Sequence, residues 1–416
     1  MILTDLVIVF VKVTFIIAIV LSLIPLLIWG ERKGAAYIQD RRGPNRANIL
    51  GIRLGGIIHN LADVVKLLFK EDIIPRKTNK VLFIISPLVV LFVTLVITAV
   101  IPFGAPIQIG DLFIRLQIAD LNVGILYILA ISSIGVYGIM IGGWASRGSY
   151  SLLGGIRSSA QMISYEVALG LSLIGVLLYT GTARLDEIVM LQGDNILSWN
   201  FVRQPIAFIL FLICLFAETN RNPFDLPEGE SELVGGYHTE YSSIKFAIFF
   251  MAEYAHIAVG AMLVVSLFFG GWQIPFFDFM EPNIGHIFKY GLPIVAFIAI
   301  VFGAILSGQA KRSNWEDLRD YEPLLFGILL VFGGIFLGGI SFVGLADKIN
   351  GDGLKILVAV LQVVTFLIKT LFFCWLFIWV RWTLPRFRYD QLMRLGWKIM
   401  IPLALLNIIV TSLFIR

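Results

Sequence analysis

Residues 361–380 read LQVVTFLIKTLFFCWLFIWV, twenty positions with a single charge, Lys369. About 20 apolar residues in a row are what a helix needs to cross a bilayer. The run is continuous rather than alternating, so it reads as a helix and not as a barrel strand. Lys369 is twelve residues from Arg381 and fourteen from Lys355. That is too central for its ammonium to snorkel to either end, so a carboxylate or polar partner is expected inside.

The same texture covers the chain. Of 416 residues, 58% are hydrophobic and 14% charged, and the mean hydropathy is +0.89. A water-exposed surface has no room for so many apolar residues. The expected fold is therefore all-α: a polytopic membrane protein with about ten transmembrane helices, forming one integral membrane domain over 1–416. The spans fall at roughly 5–29, 80–103, 120–144, 160–181, 203–217, 244–270, 289–308, 323–345, 354–380 and 395–415. Asp5 precedes any basic residue and the first apolar run is long enough to span, so the N-terminus reads as a span rather than a signal peptide. With Met1 outside, the inside connections carry 23 Lys and Arg and the outside segments seven. This positive-inside bias sets the expected orientation.

Glu31 to Lys80 is the longest inside connection. It opens ERKGAAYIQDRRGPN and continues into an amphipathic stretch over about 48–70. There Leu50, Leu54, Ile57, Ile58, Leu61, Val64, Val65 and Leu68 share one helical face, with Arg53, Asn60, Asp63, Lys66 and Lys70 on the other. It is too polar to span, and an interfacial helix is expected. By periodicity alone it is a membrane-surface anchor. Its functional reading is the wall of an entrance for a lipid-like ligand.

The stretch from Ala217 to His256 reads AETNRNPFDLPEGESELVGGYHTEYSSIKFAIFFMAEYAH. It holds Glu218, Asp225, Glu228, Glu230, Glu232 and Glu240, opposed only by Arg221 before Lys245, and a seventh acid, Glu253, sits in the next span. Such a run usually means a solvated loop. Here the acids alternate with Phe224, Leu226, Leu233, Val234, Tyr237 and Tyr241 and continue into a hydrophobic helix, where a charge is costly and usually functional. Close, partly buried carboxylates titrate as a coupled set, which is the behaviour of a proton-handling site. Glu166, beside Tyr165, is a second acid expected within a span. A helix starting near Ser158 would set it about 12 Å deep, similar to Glu253 beside Tyr254.

Other chemistries find no support. Cys214 and Cys374 lie in apolar runs and cannot alone hold an iron–sulfur cluster, the four histidines lack metal-ligand spacing, and no GxGxxG or P-loop is present. The last inside connection, RWTLPRFRYDQLMRLGWK, is basic with interleaved aromatics. Beside membrane spans this pattern points to anionic lipid headgroups or a partner subunit, not to nucleic acid.

FAETNRNPFDLPEGESELVGGYHTEY, MAEY, ERKGAAYIQDRRGPN, SYEV and WVRWTLPRFRYDQLM together resemble the H-subunit (mitochondrial subunit 1) family of NADH–quinone oxidoreductase, respiratory complex I. The resemblance covers about residues 1–275 and 354–416. It implies a membrane subunit without a redox centre of its own, forming the membrane side of a quinone chamber and the start of a charged path that couples quinone reduction to proton translocation. It assigns Glu31, Arg32, Arg41, Arg46, Asp63, Lys66, Arg221 and Asp225 to the chamber. To proton coupling it assigns Arg157, Glu166, Glu218, Glu228, Glu230, Glu232, Glu240, Glu253 and Lys369. It implies ubiquinone or menaquinone as substrate, with flavin and iron–sulfur clusters on partner subunits of the peripheral arm, small membrane subunits as neighbours, and a bacterial inner (plasma) membrane. The family usually has eight spans. Residues 281–352 therefore read as an added helical hairpin without a usable counterpart. Two other readings stand beside this one: the equivalent subunit of a related ferredoxin-, deazaflavin- or hydrogenase-linked complex, and an independent proton-coupled transporter. Against the transporter, no clear repeat or paired broken helices are visible.

Overall fold

The computed structural model describes the chain except residues 1, 50–52, 111, 194, 227–228, 230–233, 277–283, 309–320, 343–351 and 415–416. The described elements are α1 Ile2–Ile38, α2 Ile58–Phe69, α3 Lys80–Ile97, α4 Gly124–Ala145, α5 Ser149–Thr180, α6 Leu185–Gln192, α7 Asn200–Arg203, α8 Pro205–Glu218, α9 Ser243–Phe268, α10 Ile284–Gly308, α11 Glu322–Phe342, α12 Asp352–Thr383 and α13 Tyr389–Phe414. The last contains a π-helical turn at Leu395–Met400. The fold is all-α and polytopic, as expected. Among the described residues seven helices are long and apolar enough to cross a membrane, and three shorter apolar stretches, Pro205–Glu218, Pro293–Gly308 and Pro323–Ile335, fall where the other expected spans lie.

α9 is the central element. Nearly all of it from Ala252 to Phe268 is buried, and it packs against α1, α3 and α12. α4 and α5 pack closely because Gly143 and Gly155 face each other, and a methyl group on Gly143 would come within 3.1 Å of the Gly155 Cα. α10 and α11 pack on one another as an antiparallel pair.

Three differences from expectation have local causes. The interfacial helix begins at Ile58 rather than near Asn48, because Gly55 and Gly56 adopt φ of +62° and +98° and turn the chain. Gly56 also lies against the Pro44 carbonyl, where a side chain has no room. α5 begins at Ser149, so Glu166 lies about 25 Å along it, against about 15 Å for Glu253 along α9. The inference of matched depth from helix starts therefore fails. Finally, Ile107–Ile109 and Leu112–Ile114 form a small antiparallel hairpin with Gly110 at φ +56° in the turn.

Candidate functional site

α1 does not stop at the end of its apolar run but continues through Glu31 to Ile38, which carries Glu31 under the loop that follows α8. Arg221 in that loop donates from Nη1 to Glu31 Oε2 at 3.0 Å, and its Nε lies 2.5 Å from Glu253 Oε1. The Tyr254 hydroxyl donates to Glu31 Oε2 at 3.0 Å, and the guanidinium stacks over the Tyr254 ring at 4.3 Å. Arg381, at the end of α12, pairs with Glu31 Oε1. Two carboxylates, two guanidiniums and a phenol thus meet where α1, α9, α12 and the acidic loop converge. Arg221 is only 3% exposed. Burial works against its charge, but Glu253 and Glu31 outweigh burial and hold the guanidinium well above its ordinary range.

The loop is fixed from two sides. Asn222 donates to the carbonyls of Arg381 and Leu384 at 2.9 and 3.0 Å, the Phe387 amide donates to the Pro223 carbonyl at 3.0 Å, and Arg386 pairs with Asp225 at 2.8 Å. From α5, the Gln161 side-chain amide donates to the carbonyls of Ala217 and Phe224 at 2.7 and 2.9 Å. The Tyr165 hydroxyl holds α13 through the Leu392 carbonyl at 2.9 Å. Arg381 and Arg386 of the basic connection therefore pair with acids of this chain, where the sequence pattern alone points to lipid headgroups or a partner.

The interfacial helix docks beside this cluster. Arg32 pairs with Asp63, Trp29 donates to the Gly55 carbonyl at 3.1 Å, and Asn60 donates to the Pro25 carbonyl at 2.6 Å. Lys245 pairs with Asp72 at 2.6 Å, tying the end of the same connection to α9. Leu61, Val64, Val65 and Leu68 remain exposed on the apolar face of α2, as a helix lying in the membrane interface requires.

Toward the membrane interior, Glu218 closes α8 and faces His256 of α9, Oε1 to Nε2 3.6 Å. Ser132 of α4 donates to Glu166 at 3.5 Å. Two small cavities, about 20 and 30 Å³, both touch Ser132, Glu218 and His256, and the larger also touches Glu253.

The remaining expected residues scatter. Arg41, Arg46 and Lys66 are exposed, with Arg41 donating to Gln39 at 2.7 Å. Arg157 is half-buried on α5, and the Glu240 carboxylate lies against Gly148 at the N-terminal end of the same helix, where the dipole favours an anion. Glu228, Glu230 and Glu232 lie outside the described residues. Lys369 is not brought to the acids. Its ammonium donates to the carbonyls of Phe269, Gly271 and Gln273 at 2.9, 3.1 and 2.8 Å and lies 4.2 Å from the Trp199 ring. It thus caps the far end of α9, sixteen residues or about 24 Å beyond Glu253. The expected polar partner exists, but it is backbone. His238, in the loop, packs edge-on against Tyr237 and Phe246, and burial pushes it down to about 4.

Arg381, Arg386, Tyr254 and His256 are site residues that sequence reasoning did not select. Both arginines stood in a quoted motif, and Tyr254 and His256 flank Glu253 on its helix, but nothing local tells which acids they meet.

The family model described as NADH dehydrogenase matches residues 11–313 and 321–412. The chain is 42% identical to the NADH-quinone oxidoreductase H-subunit 1 of Cytophaga hutchinsonii over 384 residues, covering 92% of this chain and 90% of that one. It is 43% identical to the protein of the same description from Solibacter usitatus over 410 residues, covering 97% and 96%. It is 40% identical to NADH-quinone oxidoreductase subunit 8 of Rhodothermus marinus over 389 residues, covering 93% and 91%. The matched residues include 281–313 and 321–352. The chain belongs to the NADH dehydrogenase family.

Proposed function

We propose that this chain is the membrane subunit of a bacterial proton-translocating NADH–quinone oxidoreductase that forms the membrane side of the quinone chamber and opens the charged path into the membrane. The single observation that carries this reading is the Arg221 guanidinium held between Glu31 and Glu253, one acid from the end of the first span and one inside the central span. Quinone carries an apolar tail and a polar head, so its site needs an apolar entrance and a polar end. The exposed apolar face of α2, beside α1 and α9, supplies the entrance, and the Glu31 cluster with Asp225 lies at its inner end. Electrons arrive from partner subunits that carry flavin and iron–sulfur clusters.

Reduction of quinone to quinol takes up two electrons and two protons. In a low-dielectric chamber that uptake changes the field on nearby carboxylates and with it their proton affinity. Arg221 and Arg381 together balance Glu31 and Glu253, so a proton that arrives at or leaves either acid changes the pairing of the set. Glu218 and Glu166 continue the path, and Glu228, Glu230, Glu232, Glu240 and Arg157 are assigned to it by the likeness to the family. Lys369, seated on backbone carbonyls, belongs to the scaffold in this reading. Met1 faces outward and the acidic loop inward, following the bias of the basic residues.

A photoreactive quinone analogue bound to the intact complex is expected to label residues 31–70 or 218–256, and labelling confined to 281–352 would overturn the chamber. Affinity purification of the chain is expected to bring flavin- and iron–sulfur-bearing partners with it. Hydrogenase-type partners would instead place it in the related complexes, and transport by the isolated chain would make it a transporter.

A further inference from the structure

His256 lies three residues past Glu253 on α9, close to one helical turn, so the two side chains are neighbours on one face. Its Nε2 faces Glu218 Oε1 across 3.6 Å, at the C-terminal end of α8. Glu218, His256 and Ser132 each line both of the small cavities of the interior. The cavity of about 30 Å³ is bordered by Glu253 and by Asn220 of the loop. The cavity of about 20 Å³ runs along Val259, Leu263 and Leu267, deeper into the membrane region. Each is wide enough for a water molecule. Ser132 borders both and carries the contact on to Glu166. Among the described residues, the ionisable groups that face His256 are thus Glu253 on its own helix and Glu218 from α8, with Glu166 behind Ser132 from α5. Tyr237, from the loop, borders the same cavity as Glu253.

We infer that His256 carries protons between Glu253 and Glu218, bridging the loop-side cluster to the acid inside α5. The inference rests on the proton-coupling reading given above. Imidazole is the side chain best suited to accept and release a proton near neutral pH. In the step, the protonated Glu253 gives its proton across the larger cavity to the imidazole, leaving a carboxylate that Arg221 holds. The imidazolium then gives the Nε2 proton to the Glu218 carboxylate and returns to neutral. One proton moves, no electron moves, and Ser132 offers the hydroxyl link from Glu218 toward Glu166. His256 lines the cavity that Glu253 and Glu218 share and the deeper cavity beyond it.

The test uses the complete complex, purified from its own membranes and reconstituted in liposomes, with NADH-driven quinone turnover and pumped protons measured across pH. The conservative variant His256→Gln keeps a hydrogen-bond donor near the Nε2 position but cannot carry a proton. It is expected to assemble, to lose turnover and pumping together by at least about tenfold, and to lose an ionisation from the pH profile. His256→Leu is expected to behave alike, and if it fails to assemble the Gln variant decides. Wild-type turnover and pH profile in assembled His256→Gln would overturn the inference, as would loss in the Leu variant alone, because a hydrogen bond would then suffice. Glu253→Gln run in parallel separates the two levels. If it is inactive while His256→Gln is normal, only this inference falls; if it is fully active, the coupling reading falls and takes this inference with it.

Discussion

Arg221 Nε lies 2.5 Å from Glu253 Oε1, while the same guanidinium donates to Glu31 at 3.0 Å. One buried cation thus serves two acids from helices that are far apart in sequence. Its removal takes the ion pair from Glu253 and leaves Glu31 with Arg381 and the Tyr254 hydroxyl. Arg221→Met is expected to cost about 3–5 kcal/mol, the range for breaking a buried ion pair by deleting one partner. Thermal unfolding of the complex, or loss of this chain from it, measures that cost. Arg221→Lys keeps the charge but not the fork that meets two carboxylates at once, so it is expected to lose less stability and still impair turnover.

Glu253→Gln keeps the shape of the side chain and removes its titration. The expected outcome is an assembled complex in which quinone reduction and proton pumping fall together, since a tightly coupled machine does not turn over with its coupling step blocked. Glu166→Gln is expected to give the same pattern. Normal pumping in both assembled variants would leave the buried acids with a purely structural role.

The helical, membrane-spanning fold was legible because apolar run length and the periodicity of α2 are local properties that survive folding. The acids were legible for a similar reason: Glu31, Glu166, Glu218 and Glu253 are costly where they stand, and cost can be read from neighbours in sequence. Their partners were not. Arg381 meets Glu31 across 350 positions and Arg386 meets Asp225 across 161, pairings that no periodicity encodes. Lys369 shows the converse. Its isolation in an apolar run announced a polar partner, but only the turn after α9, with Gly270 and Gly271 at φ +68° and +50°, presents three carbonyls to one ammonium.

That cap makes its own prediction. Lys369→Met fills the same space but leaves the carbonyls of Phe269, Gly271 and Gln273 without their donor. An unsatisfied buried polar group costs about 1–3 kcal/mol, so the assembled variant is expected to lose at least that much stability. Faster hydrogen exchange at 269–273 should accompany it. Wild-type melting and exchange would mean that the carbonyls find other partners.

His238 links the acidic loop to pH. Its imidazole packs 5.1 Å from Tyr237 and 5.3 Å from Phe246, and burial pushes it down to about 4, against an ordinary value near 6.5. The folded state therefore binds this proton less readily than the unfolded chain. The stability tied to a neutral His238 is fully present above about pH 6.5, declines as pH falls, and is gone below about 4. Between pH 7 and 5 the loss amounts to about 1–2 kcal/mol, since His238 keeps part of its surface in solvent. His238→Gln cannot take up the proton. Its melting temperature is expected to fall less than that of the wild type between pH 7 and 5, in detergent at fixed ionic strength. Equal acid shifts in the two proteins would show that His238 is protonated in the folded loop at no cost.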